Sequence, residues 1–103
     1  MLKVRLFCAA GMSTSLLTTN IRKAAAARSL EIDVEAFSIS EIEQKLDGVQ
    51  VVLIGPQAAY MKRKALAACE AHGGIPMEII PMQIYGKMDG ESVLNLALEL
   101  ANK

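Results

Sequence analysis

An α/β fold built on a parallel sheet with helices on both faces is the class this chain predicts. Three observations carry that prediction. Short apolar runs alternate with helical patterns four times, Gly and Pro fall at the junctions, and 52% of the 103 residues are apolar while only 4% are aromatic. A core for such a chain must be assembled from Ala, Leu, Ile, Val and Met.

The elements follow in order. Residues 3–7 read as a strand and 14–29 as a helix. A second strand is expected at 32–37 and a short helix at 40–46. The third pair is a strand at 49–54 and a helix at 57–72, and the fourth a strand at 77–80 and a closing helix at 90–101. Four βα units of this spacing imply right-handed crossovers. Gly11, Gly55-Pro56 and Gly86 follow strands, whereas Gly48 and Gly73-Gly74 follow helices. One feature runs against type. The first strand should be central and apolar, yet it contains Lys3 and Arg5. Both are expected at the bottom of the sheet with their cationic groups reaching water.

Length and charge narrow the function. A chain of 103 residues is the size of one domain. Eleven basic residues balance eleven acidic ones, which argues against nucleic acid or an anionic membrane as partner. The apolar run at 51–54 is far shorter than a bilayer span, and the N-terminus interleaves charged and apolar residues rather than forming a secretory signal. A cytoplasmic protein without membrane insertion is expected. Cys8 and Cys69 stand far apart, with His72 the one imidazole. No metal site, cofactor or disulfide is expected from them.

The chemistry concentrates after the first strand, in Cys8-Ala9-Ala10-Gly11-Met12-Ser13-Thr14-Ser15. In open parallel sheets ligands bind outside the carboxyl ends of the strands, so Cys8 should floor that crevice. Ala9, Ala10 and Gly11 let the backbone curl until successive N–H groups converge on an anion. Ser13, Thr14 and Ser15 add hydroxyl donors where one helix cap would need only one. The start of a helix contributes unpaired N–H groups and the positive end of its dipole, which stabilise a thiolate or a phosphoryl group attached to it. Residues 9–21 carry no charged side chain. Neutral cradling suits a carrier that must release its phosphate, because an enzyme that hydrolyses it gains from a fixed cation on the equatorial oxygens.

The loop resembles the enzyme IIB component of the lactose and cellobiose family (which includes chitobiose) of the bacterial phosphoenolpyruvate-dependent sugar phosphotransferase system. The likeness extends over nearly the whole chain. It rests on Leu6-Phe7-Cys8-Ala9-Ala10-Gly11-Met12-Ser13-Thr14-Ser15-Leu16-Leu17, on Gly55-Pro56-Gln57-Ala58-Ala59-Tyr60-Met61 and on Tyr85-Gly86-Lys87-Met88-Asp89-Gly90. It implies a four-stranded parallel sheet in the order 2-1-3-4 and a phosphocysteine at Cys8. It further implies a IIA component as phosphohistidine donor and, as acceptor, a β-linked disaccharide such as cellobiose, chitobiose or lactose on the membrane IIC permease. The chain would then be cytoplasmic and peripherally associated with that permease; apart from the resemblance, a monomer is expected. The fold and first loop also resemble low-molecular-weight tyrosine phosphatases, but that family's loop arginine is replaced here by Thr14 and no Asp-Pro pair supplies a general acid. A small cysteine phosphatase and a thiol-based regulatory module stand as alternatives.

Other positions are assigned by their setting. If the third strand neighbours the first, Gln57 and Tyr60 are either binding residues or a polar helix start and an interfacial core tyrosine. Asp89 is read as the cap of the last helix, Lys87 as exposed and Tyr85 as part of a docking face. Met12, Leu16 and Leu17 are candidates for an apolar rim, the two leucines equally for core. Cys69 continues the apolar stripe of Ala58, Met61 and Ala65 and is read as core, with His72 closing its helix.

Overall fold

The structure is a computed structural model that describes residues 1–9 and 12–102, with the side chains of residues 12–14 outside that description. Its centre is a four-stranded sheet in the order β2-β1-β3-β4, formed by β1 (Leu2–Cys8), β2 (Ile32–Ser38), β3 (Val51–Ile54) and β4 (Met77–Ile79). All pairings are parallel, with Val4 opposite both Val34 and Val51. The expected order is therefore the order found.

Side-chain alternation along β1 divides the core into two layers. Val4 and Leu6 face α1 (Met12–Ala27) and α4 (Gly90–Ala101), where Leu17, Ile21, Val93, Leu94 and Ala97 pack against them. Phe7 faces the other way, toward Ile39 and Ile42 of a 3-10 helix (Ile39–Gln44) and Ala65, Ala68 and Cys69 of α2 (Lys62–Ala71). Cys8, two residues beyond Leu6, belongs to the α1 side.

Three differences from the sequence reading have physical causes. The helix expected over 57–72 is two elements, a 3-10 helix at Pro56–Met61 and then α2. Pro56 has no N–H to give and sits at the start of the tighter turn. A further short helix, α3 (Met82–Gly86), occupies what reads as loop, because Pro81 ends the fourth strand and opens a helical turn in a stretch too short for amphipathic periodicity.

The third difference concerns Arg5. It is only 6% exposed rather than reaching water. Its guanidinium clasps Asp33 on β2 through Nη1 to Oδ1 at 3.2 Å and Nη2 to Oδ2 at 3.1 Å. Nη1 also donates to the Val4 and Asp33 carbonyls, both at 2.9 Å. Five donors in a planar fork can be satisfied inside a sheet in a way an ammonium cannot. Lys3 behaves as its type predicts, half-buried with Nζ donating to the exposed Asp47 carbonyl at 2.7 Å.

Candidate active site

Cys8 ends β1 and α1 begins four residues later, so the thiol lies where the sheet's carboxyl edge meets a helix start. That first helical turn contains no acidic residue, so no carboxylate within it offsets the positive end of the dipole. Farther along α1, the Thr18 and Thr19 hydroxyls both donate to the Ser15 carbonyl, at 2.9 and 3.0 Å. These bonds hold the turn after the loop within the helix rather than offering donors to a ligand.

The wall beside Cys8 is built from β3 and α3. The Gly55 N–H donates to the Phe7 carbonyl at 2.8 Å, extending the β1–β3 ladder past the last strand pair. A Cβ on Gly55 would stand 3.3 Å from the Cys8 Cβ and 3.5 Å from Cε2 of Tyr85. Strand, loop and tyrosine ring meet closely there, so that even a methyl group would crowd the Cys8 side chain and oblige it to give by a few tenths of an ångström. Tyr85 is 4% exposed. The expectation of a docking tyrosine is corrected, since the turn after Pro81 aims this ring into the α1-side core instead of outward.

Cys8 itself is 1% exposed. The sequence places it at a crevice floor, and the structure places it deeper, within the buried set. Of the loop positions expected to cradle an anion, Ala9 and Ser15 are exposed. Ala10 and Gly11 lie outside the described residues, as do the side chains of Met12, Ser13 and Thr14. Gln57 and Tyr60 both project to solvent from the 3-10 helix after Gly55, and Tyr60 is 75% exposed. The reading of Tyr60 as an interfacial core residue is thereby set aside. The two leucines divide, Leu17 into the core and Leu16 outward.

Exposed Leu16, Tyr60 and Met82 follow the carboxyl ends of β1, β3 and β4 respectively. All three lie in the segments that follow strand ends at the edge of the sheet where β1 finishes with Cys8. A groove of about 320 Å³ opens instead between α1 and β2, lined by Thr18, Thr19, Arg22, Glu35 and Phe37 among others, and Cys8 is not part of it. Arg22 is occupied there by a hydrogen bond to the Val34 carbonyl. Among the described residues no three His, Cys, Asp or Glu side chains gather to hold a metal ion.

The remaining assignments fall as read. Cys69 is 1% exposed on the apolar face of α2, and burial, with a smaller contribution from Glu70, pushes its thiol up to about 11. His72 closes that helix through a contact of Nδ1 with the Ala68 carbonyl at 2.8 Å. Asp89 caps α4, its Oδ1 accepting from the Ser92 N–H at 3.1 Å and Oδ2 from the Ser92 hydroxyl at 2.7 Å. Lys87 is exposed. Among the described residues no helix is long and apolar enough to cross a membrane.

Comparison with known proteins agrees with this geometry. Residues 3–96 match the family of lactose/cellobiose-specific IIB subunits of the phosphotransferase system. A galactose-specific EIIB component of Lactococcus lactis subsp. cremoris is 42% identical, with 96% of this chain and 95% of the relative covered. A cellobiose-specific EIIB component of Lactococcus lactis subsp. lactis is likewise 42% identical with the same coverage. An oligo-beta-mannoside-specific EIIB component of Bacillus subtilis is 33% identical over 97% of this chain and 96% of that one. The solution structure of a cellobiose-specific IIB component from Borrelia burgdorferi superposes with a TM-score of 0.81 at 37% identity, covering 98% of this chain and 92% of that chain. A lactose-specific IIB domain from Streptococcus pneumoniae, 18% identical, shares the fold with a TM-score of 0.83 over 95% of each chain. With its sheet order, its strand-end cysteine and a family match from Lys3 to Leu96, the chain belongs to the lactose/cellobiose-specific IIB family of the sugar phosphotransferase system.

Proposed function

We propose that this chain is a cytoplasmic phosphoryl carrier that works through a phosphocysteine at Cys8. The observation that carries the proposal is the position of that thiol, at the carboxyl end of central β1 and immediately before a helix whose first turn has no carboxylate. In the first step the Cys8 thiolate attacks the phosphorus of a phosphohistidine on a IIA component. The S–P bond forms as the P–N bond breaks, and the imidazole leaves. In the second step a hydroxyl of a sugar held by the membrane IIC permease attacks the same phosphorus. An O–P bond forms, the S–P bond breaks, the hydroxyl proton passes to water or to a base beside the sugar, and the thiolate returns.

Burial of Cys8 keeps bulk water from the sulfur, which favours delivery to a partner over hydrolysis. Transfer then needs the rim of the site to part for the incoming group, and the exposed Leu16, Tyr60 and Met82 offer apolar contact to a docking protein. Ala9, Ala10, Gly11, Met12, Ser13, Thr14 and Ser15 supply the phosphate cradle, with Gln57 and Tyr60 at its border. Relatives named for galactose, cellobiose and oligo-beta-mannosides point to a β-linked oligosaccharide or a related sugar as the acceptor.

The test is incubation with phosphoenolpyruvate, enzyme I, the histidine carrier protein and a cellobiose-type IIA component, followed by mapping of the adduct by mass spectrometry under neutral conditions. A single phosphate on Cys8 that disappears on addition of IIC membranes and sugar is expected. Phosphate retained on another residue in Cys8→Ser, or rapid turnover of an aryl phosphate by the isolated chain, would refute the assignment.

A further inference from the structure

The run from Tyr85 to Gly90 contains more than a buried ring and a helix cap. Asn20, two turns into α1, donates from Nδ2 to the Met88 carbonyl at 2.8 Å, joining residues 68 positions apart in the chain. Met88 holds that carbonyl in place from a left-handed conformation with φ 52°. The Asp89 N–H closes the same turn by donating to the Ile84 carbonyl at 3.1 Å. Two residues beyond Met88, Gly90 lies so close to α1 that a Cβ there would fall on the Asn20 carbonyl and the Ile21 nitrogen, nearer than any real Cβ contact. One directional bond and one backbone approach therefore meet α1 at a single point. That point is about 12 Å along the axis from the helix start at Met12.

The other end of this short segment reaches the thiol's wall. Tyr85, five residues before Gly90, stands with its ring against the Gly55 position that also borders Cys8. The same piece of chain thus grips the helix after the loop and lines the surroundings of the sulfur. The hydrophobic drive that packs α1 against α4 is non-directional. A hydrogen bond to a fixed carbonyl and a close backbone contact add a directional restraint on the axial position of α1.

We infer that Asn20, the Met88 carbonyl and Gly90 form a clasp that sets the axial position of α1 relative to Cys8, with Asn20 as a positioning residue for phosphoryl transfer. The inference rests on the carrier reading of Cys8. It is tested with Asn20→Ala and with Asn20→Asp, which keeps the shape of the side chain while exchanging its NH2 donor for an acceptor. The probe is a phosphorylated cellobiose-type IIA component, and the readouts are the single-turnover rate at saturating donor, the half-saturating donor concentration and the 31P resonance of the phosphocysteine. Both variants are expected to slow phosphate arrival at Cys8 by roughly five- to fiftyfold and to shift the 31P resonance, with half-saturation changed less than about twofold. Arg28→Ala, which removes an exposed ion pair between the turn after α1 and Glu91 of α4, should leave all three readouts unchanged.

Wild-type rate and resonance in Asn20→Asp would overturn the clasp. So would variants that lose only melting temperature while their folded molecules transfer at the wild-type rate. If Asn20→Asp does not fold, Asn20→Ser, whose hydroxyl is too short to span to Met88, carries the same expectation. A wild-type chain that takes no phosphate on Cys8 is a separate result and refutes the carrier reading instead.

Discussion

Cys8 and Cys69 are hidden to the same degree, each 1% exposed, yet their surroundings differ in kind. Cys69 lies in the last turn of α2 among Ala65, Ala68 and the apolar face of the sheet, where burial, with a smaller contribution from Glu70, pushes the thiol up to about 11. Cys8 lies at a strand end, beside a glycine that leaves space, a tyrosine ring and the start of a helix. Depth of burial therefore does not distinguish the two thiols. Under the carrier reading proposed above, what distinguishes them is the neighbouring helix start, whose N–H groups and dipole favour an anionic sulfur.

The strongest way to break the comparison is to exchange the thiols' fates by mutation. Cys8→Ala should abolish phosphate uptake from IIA, by a factor of at least about 10³ in single-turnover rate. Cys69→Ala should leave that rate within about twofold and lower stability by about 1 kcal/mol through lost packing. Equal losses in the two variants would mean that the strand-end setting confers nothing. Next in size is Gly55→Val, which places a branched side chain where even a Cβ is 3.3 Å from that of Cys8. It should slow uptake by roughly tenfold to a hundredfold, because the sulfur or the ring of Tyr85 must move. Measured with Cys69 alkylation after unfolding as an internal count of chains, the loss should fall on Cys8 alone.

Asp33→Asn sharpens the contrast from the opposite direction, as a variant expected to affect stability without touching transfer. Arg5 holds the Asp33 carboxyl below its usual 3.8, chiefly by hydrogen bonding, and sits on the face of β1 away from Cys8. Removing the negative charge leaves a buried guanidinium paired only to neutral acceptors and the more distant Glu35, and because the Asp33 carboxylate is 38% exposed and screened by solvent the expected cost in urea unfolding is about 0.5–1 kcal/mol. Because the folded carboxyl has the lower value, its contribution is complete above 3.8 and is lost as pH falls through the folded value. Wild type and variant should thus converge in acid, and phosphate uptake per folded molecule at neutral pH should be the same in both.

The sheet and its order were legible because each strand carries its own apolar run and each junction its Gly or Pro. The place of Cys8 at the end of the first strand was legible for the same reason, because the apolar run of that strand stops there and small residues follow. The two tyrosines show where such reading falls short. Tyr60, read as either a binding residue or core, is exposed, which removes only the core alternative, and Tyr85, read as docking surface, is buried beside Gly55. A tyrosine is amphipathic, so only the turn that aims it decides, and the turn after Pro81 is a five-residue helix with too little periodicity to register. Arg5 was misplaced for a related reason. Its partner lies on another strand, at a spacing that depends on register and not on sequence neighbourhood.

The smallest expected effect concerns the inert thiol and separates its burial from the charge of its neighbours. Cys69 titrates at about 11 in the fold against a reference of 9.0. At pH below 9.0 both folded and unfolded chains carry the proton, so the raised value contributes nothing to the pH dependence there. Between 9.0 and about 11 the unfolded chain releases its proton while the folded chain keeps it, and stability falls as pH rises. At about pH 10 the deficit should be about 1 kcal/mol, read as a lowered urea midpoint at constant slope. Cys69→Ala should remove that decline while keeping whatever other alkaline losses the chain has, so the difference between the two curves isolates this thiol. A difference that does not change between pH 8 and about pH 11 would mean that the sulfur of α2 is open to solvent in solution, and the contrast with Cys8 would then have to rest on something other than the shared depth of the two sites.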